Sequence, residues 1–312
     1  MARLTVSSSP HIRSSVTTQR IMLDVLIALT PAAIAGTVIF GWRALLVMAV
    51  CIGSSVLSEF VFNLICKKKQ TIGDLSAVVT GLLLALNLPV SVPVWQCVIG
   101  SVFAIIVVKC LFGGLGCNFA NPAIAGRVLM LICFASTVGA ATVPVISLSP
   151  ELVSGATPLG VMSAGGQLPP LLDLFLGLHG GAIGETCAAA LLIGYVYLVV
   201  RKVIKPEIPA IFIGTVFLLS VIISGSWIDG LYHILTGGVF IGAIFMATDY
   251  VTTPITRTGK MIFAFGCGII TVLIRFFGSY PEGVSFAILI MNILSPYIEK
   301  WTAKIPLGGK KA

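Results

Sequence analysis

The chain has 312 residues, of which 57% are hydrophobic and only 10% charged, and its mean hydropathy is +1.09. Soluble domains carry about 25% charged residues, so this composition excludes a soluble globular protein and indicates a polytopic membrane protein. The net charge of +8 does not indicate nucleic-acid binding, because the basic residues lie at the ends of apolar segments, where they act as orientation signals.

Ten apolar segments follow a polar, basic N-terminal stretch that lacks the apolar centre of a cleavable signal peptide. Because about 20 residues of helix cross the hydrocarbon core of a bilayer, the pattern predicts an all-α protein with about ten transmembrane helices. The predicted segments are 21–40, 44–65, 75–88, 94–112, 122–138, 181–200, 208–224, 231–247, 261–277 and 283–298.

The basic residues predict how these segments are oriented. With the N-terminus in the cytoplasm, 17 of the 19 Lys and Arg residues lie on the cytoplasmic side, including Lys109 and Arg127 at inner helix ends. Only Arg43 and Arg275 fall outside. Because the Lys/Arg bias sets topology, both termini are predicted to be cytoplasmic. The loop 139–180, which contains no Lys or Arg, is predicted to be extracytoplasmic.

Several segments are too short or too irregular to be plain spans. Segment 75–88 offers about 21 Å of helix against a hydrocarbon core of roughly 30 Å. Residues 113–122 are rich in glycine at membrane depth, where irregular backbone is tolerated only when it is buried in protein or lines a cavity. The second half repeats this plan, with Gly237 and Gly238 inside one segment and a break before the last one.

Five spans in each half predict two inverted repeats with broken helices. The predicted organisation is a cytoplasmic N-terminal segment 1–20, a first five-helix repeat 21–138, the extracytoplasmic loop 139–180, a second five-helix repeat 181–298 and a basic cytoplasmic tail 299–312.

The loop 139–180 contains the stretch Ser154-Gly155-Ala156-Thr157. Taken alone, it is typical of a Ser/Thr-Gly turn, and it also suits a tethering site outside the cytoplasm. Further notable stretches are Asn121-Pro122-Ala123-Ile124-Ala125-Gly126-Arg127, Met246-Ala247-Thr248-Asp249-Tyr250, and Tyr280-Pro281-Glu282-Gly283 running into Ile288-Leu289.

Together these stretches resemble the D subunit of Rnf ion-translocating ferredoxin:NAD⁺ oxidoreductases and the homologous B subunit of the Na⁺-translocating NADH:quinone oxidoreductase. The resemblance covers nearly the whole chain, and the length fits the Rnf protein better. It implies a subunit that is not active alone and that works with flavin- and iron–sulfur-carrying partners in the cytoplasmic (inner) membrane of a bacterium or archaeon. Electron transfer between ferredoxin and NAD would be coupled there to Na⁺ or H⁺ translocation.

The resemblance also implies a covalent flavin. FMN would be joined through its phosphate to the Thr157 hydroxyl, with Ser154, Gly155 and Ala156 completing the motif. A Thr hydroxyl is a poor nucleophile unless it is activated, so a separate flavin transferase has to act. The family usually has Asp three residues before the Ser; this chain has Glu151 there, which keeps the carboxylate.

A second flavin, riboflavin, is implied as a non-covalent ligand between the two halves. Its candidate walls are the break from Asn118 to Arg127, which includes Asn121, and the region of Asp249. The resemblance assigns no individual contacts.

Ionisable residues within the membrane are functional candidates because each costs about 2.5–3.5 kcal/mol to insert. Asp74 and Asp249 stand at corresponding breaks and are ion-path candidates, although Asp74 also fits a plain N-cap. Glu185, predicted on the outer third of its helix, is the third candidate. No Cys or His spacing predicts a metal site.

The remaining membrane charges have plainer explanations. Glu59 lies near the cluster 67–69 and either snorkels to the interface or has a function. Asp24 is predicted to pair with Arg20, one turn away. Lys109 and Arg127 either anchor at lipid headgroups or meet a flavin.

Three classes of function therefore remain at this point. One is the membrane redox subunit just described. Another is a secondary transporter or channel for a small solute, which the same inverted-repeat architecture also suits. A third is a pure scaffold without cofactor or transport, against which the acidic residues within the membrane argue. A purified transporter would be colourless, whereas the redox subunit would carry flavin that stays on the band in a denaturing gel.

Overall fold

The computed structural model describes residues 16–139, 141–142, 144, 154–155, 157–163, 165–166, 168–278 and 282–303. Helices form nearly all regular structure in these ranges, as predicted. The strands found there are a short antiparallel pair, β1 (Ala141–Thr142) and β2 (Ser154–Gly155). The helices are α1 (Thr18–Phe40), α2 (Trp42–Ile65), α3 (Ser76–Leu86), α4 (Val94–Val102), α5 (Pro122–Cys133), α6 (Ala135–Val138), α7 (Pro158–Ser163), α8 (Leu171–Leu176), α9 (Ala188–Val200), α10 (Glu207–Ser224), α11 (Trp227–Leu235), α12 (Val239–Ile241), α13 (Arg257–Phe277) and α14 (Val284–Thr302).

Among the described residues, four helices are long and apolar enough to cross a membrane: α1, α2, α10 and α13. A fifth candidate is broken, because α11 and the helix from Val239 to Met246 are bent by 65° across the intervening turn. Shorter apolar helices are also present, including α3, α5 and α9. The chain is a multi-pass membrane protein whose described residues are mainly helical, and the total of ten spans stays a prediction.

In the first half, α3 and α4 both pack against α2. The approach of α3 requires a glycine, because a Cβ on Gly81 would lie 2.7 Å from the carbonyl oxygen of Cys51 in α2. Nearly every residue of α3 is buried, which explains how a helix of 11 residues is stable in the core of the bundle.

In the second half, α11 and α13 both pack against α10, and α14 packs against α13. The halves meet where α1 packs against α9 and α5 against α14. A methyl group at Gly194 of α9 would collide with the carbonyl of Ala28 in α1, so this helix pair also depends on a glycine.

The segment before α9 corrects one predicted boundary. Residues 181–200 are predicted as a single helix, but α9 begins only at Ala188. The Gly184 backbone N–H donates to the Leu86 carbonyl oxygen at 2.8 Å, at the end of α3 where carbonyls lack intrahelical partners. The segment is irregular because it satisfies the end of another helix in the core.

Two further predicted segments are not uniform α-helices. Segment 122–138 divides at Phe134 into α5 and α6. Segment 94–112 begins as α4 and continues in wider π-helical turns over Phe103–Cys110. A π-helix is rare, and its apolar pattern over a few residues resembles that of an α-helix, so the sequence alone did not indicate it.

Matching backbone breaks precede one short helix in each half. Leu75, after the 3₁₀ turn Ile72–Asp74, has φ of 64° and begins α3. Gly238, after Gly237, has φ of 69° and begins α12, which continues as π-helical turns over Gly242–Met246. Both breaks thus use the left-handed region, which glycine tolerates far better than leucine.

Candidate functional sites

Thr157 caps a short helix. Its Oγ1 accepts a hydrogen bond from the Gly160 backbone N–H at 3.1 Å, which makes Thr157 the N-cap of α7. Pro158 occupies the first helical position, where its missing N–H costs nothing. The Thr157 side chain is half-buried.

The other motif residues are only partly described. Ser154 and Gly155 form β2, whose backbone pairs with β1. Ala156 and the preceding carboxylate residue, Glu151, lie outside the described residues. The β-pairing and the capped helix hold the backbone on both sides of the motif.

Thr157 stands between an apolar recess and a polar cavity. The recess lies between α5, α6 and the start of α14, and Leu131, Ala135 and Phe286 supply apolar walls. The polar cavity is shared with Asn87, Arg127 and Glu282. A group attached to the Thr157 hydroxyl would therefore have apolar surface on one side and buried charge on the other.

Arg127 is the centre of that buried charge. Its Nη1 donates to Asn87 Oδ1 at 2.6 Å, and its Nη2 donates to Glu282. A second carboxylate, on Glu185, lies 3.6 Å from Nη2. Burial of these ions is tolerable because each is paired.

Two predictions about these residues are wrong. Arg127 does not anchor at a headgroup of the inner surface, because its side chain is only 4% exposed and lies in the same cavity as Thr157. Glu185 is not on a helix, because it lies in the irregular segment that caps α3. The structure brings Arg127, Glu185 and Thr157 to one region, but nothing in it tests them as flavin or ion ligands.

Arg275 holds the break between α11 and α12 together. Its guanidinium donates to the carbonyl oxygens of His233, Thr236 and Gly237, and its Nε donates to that of Glu282 at 3.0 Å. These bonds satisfy carbonyls at the end of α11 that have no partner within the helix.

A second cavity lies between the halves, on the side of the molecule where α3 begins. Its walls are mostly apolar, with Val79, Leu83, Leu198, Ile244 and Phe245 among them. Polar groups also line it: Ser76, Thr80, Lys109, Asn118, Asn121, Thr248, Asp249 and Tyr250. This is the region in which Asn118, Asn121 and Asp249 are predicted to meet a ligand, and the structure does bring these three residues together.

Asn121 joins the two halves at this cavity. Its Oδ1 accepts hydrogen bonds from the Ala123 and Ile124 N–H groups, which caps α5. Its Nδ2 donates to the Met246 carbonyl oxygen at 3.3 Å, at the end of the π-helical turns of the other half. The Asn-Pro sequence is therefore a helix start as well as a cavity wall.

Asp249 lies at the same end of the π-helical turns. Its carboxylate accepts hydrogen bonds from Val251 N at 3.4 Å and Thr252 Oγ1 at 3.2 Å. Burial raises the pKa of the Asp249 carboxyl, and these hydrogen bonds together with one from Asn118 oppose that rise.

Lys109 and Glu59 form a buried ion pair beside the cavity. Lys109 Nζ lies 2.9 Å from Glu59 Oε1, and both side chains are 2% exposed. The interpretations that Glu59 snorkels to the interface and that Lys109 anchors at headgroups are therefore wrong. Lys109 Nζ also donates to Ser76 Oγ at 2.6 Å.

Asp74 behaves as a capping residue. Its Oδ1 accepts from the Ser76 backbone N–H at 2.8 Å and from the Ser76 hydroxyl, at the start of α3. It reaches the cavity only through Ser76, whereas Asp249 lines the cavity directly. The predicted pairing of Asp74 and Asp249 as one ion path stays untested.

The predicted pair of Asp24 with Arg20 is wrong. Asp24 Oδ1 accepts from Arg201 Nη2 at 3.3 Å and from the Tyr197 hydroxyl at 3.0 Å. The partner comes from α9 because α1 packs against that helix. Sequence spacing could not indicate a partner 177 positions away.

Sequence reasoning did not identify Ser76, Thr71 or Asn87 as members of polar sites. Each is a small polar residue beside a turn, and such residues are common there for local reasons. The usable signal was the isolated charge in an apolar segment, as at Glu59 and Lys109, which requires a buried partner.

A model of the family described as NQR2, RnfD, RnfE family matches residues 5–308. The chain is 48% identical to the D subunit of the Na(+)-translocating ferredoxin:NAD(+) oxidoreductase complex of Acetobacterium woodii, over 99% of this chain and 96% of the relative. It is 41% identical to the D subunit of the proton-translocating ferredoxin:NAD(+) oxidoreductase complex of Clostridium ljungdahlii, over 98% and 97%. It is 38% identical to the D subunit of the ion-translocating oxidoreductase complex of Stutzerimonas stutzeri, over 93% and 91%.

Proposed function

The chain belongs to the NQR2, RnfD, RnfE family, and for this reason we propose that it is the D subunit of an Rnf-type ion-translocating ferredoxin:NAD⁺ oxidoreductase complex. The observation that supports this proposal most strongly is the 48% identity to one such protein over 99% of this chain. The sequence has neither a dinucleotide-binding fingerprint in a βαβ unit nor an iron–sulfur cysteine set. Electrons from ferredoxin or to NAD therefore pass through partner subunits.

The proposal includes FMN esterified through its phosphate to Thr157 by a flavin transferase. The residues present fit this group. The half-buried hydroxyl borders a recess whose Leu131 and Phe286 side chains suit a flat apolar ring. Arg127, in the adjoining cavity, carries the charge that suits a phosphodiester.

A non-covalent riboflavin is proposed for the cavity between the halves. The apolar walls suit the benzenoid side of the ring system, and Asn118, Asn121 and Thr248 offer the polar contacts that fix orientation. The cavity measures about 100 Å³, below the roughly 300 Å³ at which ligand pockets begin. Binding therefore requires the lining side chains to move apart. Bound flavin supplies electron-carrying chemistry, and the protein supplies position and surrounding charge.

The proposed architecture is ten spans in two inverted five-helix repeats. Its support is the matching set of neighbours: α2 packs with α3 and α4 as α10 does with the broken span of α11 and α12 and with α13, and α4 meets α5 as α13 meets α14. Left-handed breaks at Leu75 and Gly238 begin the corresponding short helices. Lys109 and Arg275, near the ends of corresponding helices, contact those breaks.

The proposed orientation has both termini in the cytoplasm of a bacterial or archaeal cell and the Thr157 loop outside. The Lys/Arg distribution supports it. Arg127 is one of the 17 Lys and Arg residues predicted to lie on the cytoplasmic side, but it is buried in the bundle. Without it, 16 of the 19 Lys and Arg residues remain consistent with this orientation. The ion, Na⁺ or H⁺, is proposed to use Asp74, Asp249 and Glu185.

The test is expression together with a flavin transferase, followed by denaturing electrophoresis and intact-mass measurement. We expect in-gel flavin fluorescence and a mass increase of one FMN phosphoester, both lost in Thr157→Val because the ester oxygen is gone. Thr142→Val, the same change in the opposite strand of the loop, serves as the matched control and should keep both signals.

The proposed non-covalent riboflavin is measured in a separate experiment. Chromatography of the supernatant after denaturation should yield riboflavin in the wild type and equally in Thr157→Val. A colourless preparation with an unchanged mass would contradict the redox proposal and favour the alternative, a small-solute transporter.

A further inference from the structure

A continuous chain of hydrogen bonds runs from a surface turn to the wall of the cavity between the halves. The exposed Thr71 donates its hydroxyl proton to Glu59 Oε1 at 2.6 Å. Lys109 Nζ donates to the same oxygen at 2.9 Å, and Lys109 lines the cavity. Three side chains thus connect solvent to the cavity, although Glu59 and Lys109 are themselves buried.

A second branch reaches the same ammonium group. Lys109 Nζ donates to Ser76 Oγ, and the Ser76 hydroxyl donates to Asp74, which is partly exposed. An ammonium has three N–H bonds. Two are directed to Glu59 and Ser76, which leaves the third for a molecule in the cavity.

The unused oxygen of Glu59 separates this arrangement from a purely structural ion pair. Glu59 Oε2 is buried and has no hydrogen-bond partner among the described residues. Leaving such an oxygen unpaired costs free energy that a structural pair would normally avoid. It is a place where a proton in transit can reside, since a carboxylate accepts at either oxygen.

We propose that Lys109 is the proton donor to a flavin bound in this cavity, and that Thr71 and Glu59 return the proton from solvent. The inference rests on the proposed function, which supplies the flavin and, through redox partner subunits, the electrons. On reduction, an Nζ–H bond of Lys109 breaks and an N–H bond forms on the ring, which leaves a neutral amine. A proton from water then passes through the Thr71 hydroxyl and the Glu59 carboxyl to Nζ, and the ammonium is restored.

Several other charged or titratable groups lie near Lys109 and contribute to the electrostatic environment of its ammonium group. Glu59 lies on α2, and Asp74 precedes α3. Cys110 is the next residue of the same helix, and Asp249 and Tyr250 line the cavity with Lys109.

The decisive variant is Lys109→Arg. A guanidinium keeps the positive charge and the hydrogen bonds, but it stays protonated in proteins and cannot donate a proton to a ligand. We would reduce the purified, flavin-loaded protein rapidly and follow proton uptake with a pH-indicator dye, with riboflavin stoichiometry as the second readout.

The expected result is unchanged riboflavin stoichiometry with proton uptake slowed by about 100-fold, the lower range for loss of a general acid. Thr71→Val, at an exposed turn that should tolerate the change, is also expected to slow proton uptake from solution, because the proton that restores Lys109 enters through the Thr71 hydroxyl. Lys205→Arg, at an exposed lysine, is the matched control and should behave as the wild type.

The outcomes are distinguishable. Flavin-loaded Lys109→Arg that takes up protons at the wild-type rate overturns this inference and leaves the proposed function standing. A wild-type preparation that contains no riboflavin overturns both the proposed cavity site and the inference. If Lys109→Arg does not fold, Thr71→Val decides: proton uptake from solution at the wild-type rate overturns the relay.

Discussion

The two helix breaks differ in what their neighbouring cations contact. At the start of α3, Lys109 contacts side chains, Glu59 and Ser76, that can accept or pass on a proton. At the start of α12, Arg275 contacts backbone carbonyls, including those of Thr236 and Gly237. Carbonyls cannot exchange protons, and arginine does not release one. The contacts at the start of α3 thus include groups that can exchange protons, whereas the contacts at the start of α12 form a clamp on the backbone.

The largest expected effect comes from separating Lys109 and Glu59. Lys109→Met leaves the Glu59 carboxylate buried without a cation and should lower the free energy of unfolding by about 3–5 kcal/mol. The double variant Glu59→Gln/Lys109→Met removes both charges and should recover most of that loss. Equilibrium unfolding in mixed micelles measures both. If the loss of stability in the double variant equals the sum of the losses in Lys109→Met and Glu59→Gln, the two residues are not coupled.

The arginine clamp should depend on geometry more than on charge. Arg275→Lys keeps the charge, but an ammonium cannot span the carbonyls that the guanidinium joins. We expect a loss of about 2 kcal/mol, since buried carbonyl acceptors are left unpaired. The same unfolding measurement applies, with Arg43→Lys as the control because the contact of Arg43 with the Ser91 carbonyl oxygen is long, at 3.5 Å. Equal effects at both positions would contradict the clamp.

A smaller difference is expected between the two left-handed residues. Gly238→Ala places a Cβ at φ of 69° and should cost about 1–2 kcal/mol. Leu75→Gly should change stability by less than about 1 kcal/mol, because relief of strain at φ of 64° is offset by the greater freedom of glycine in the unfolded chain. Thermal unfolding of both variants in one detergent compares them. A large loss in Leu75→Gly would show that its side-chain packing dominates.

The smallest effect is expected at the ion pair between α1 and α9. The Arg201 side chain is 41% exposed, so its pair with Asp24 is screened by solvent. Asp24→Asn should therefore cost less than about 1 kcal/mol. Arg20→Ala should have no effect, because Arg20 is not the partner of Asp24. Both variants are compared by equilibrium unfolding under the same conditions. A larger loss of stability in Arg20→Ala than in Asp24→Asn would contradict the pairing with Arg201 and favour the pairing with Arg20.

Local features of this fold were predictable from the sequence. The apolar segments, the short third helix and the break at Gly237 and Gly238 follow from composition and from the conformational freedom of glycine. Asn121 before Pro122 indicates a helix start, which the structure confirms. The motif ending at Thr157 identified a loop of interest, although no feature of the structure tests its modification.

The sequence by itself determined that this chain is a helical membrane protein with interrupted helices, because hydropathy and glycine placement act over a few residues. Only the tertiary structure decided which buried charges are paired. Lys109 meets a carboxylate 50 positions away, and Arg127 meets one 155 positions away. A buried ion requires a partner, but the requirement does not name one. The packing of α2, α3 and α5 against their neighbours selects it, since that packing fixes which distant side chains lie within hydrogen-bonding distance.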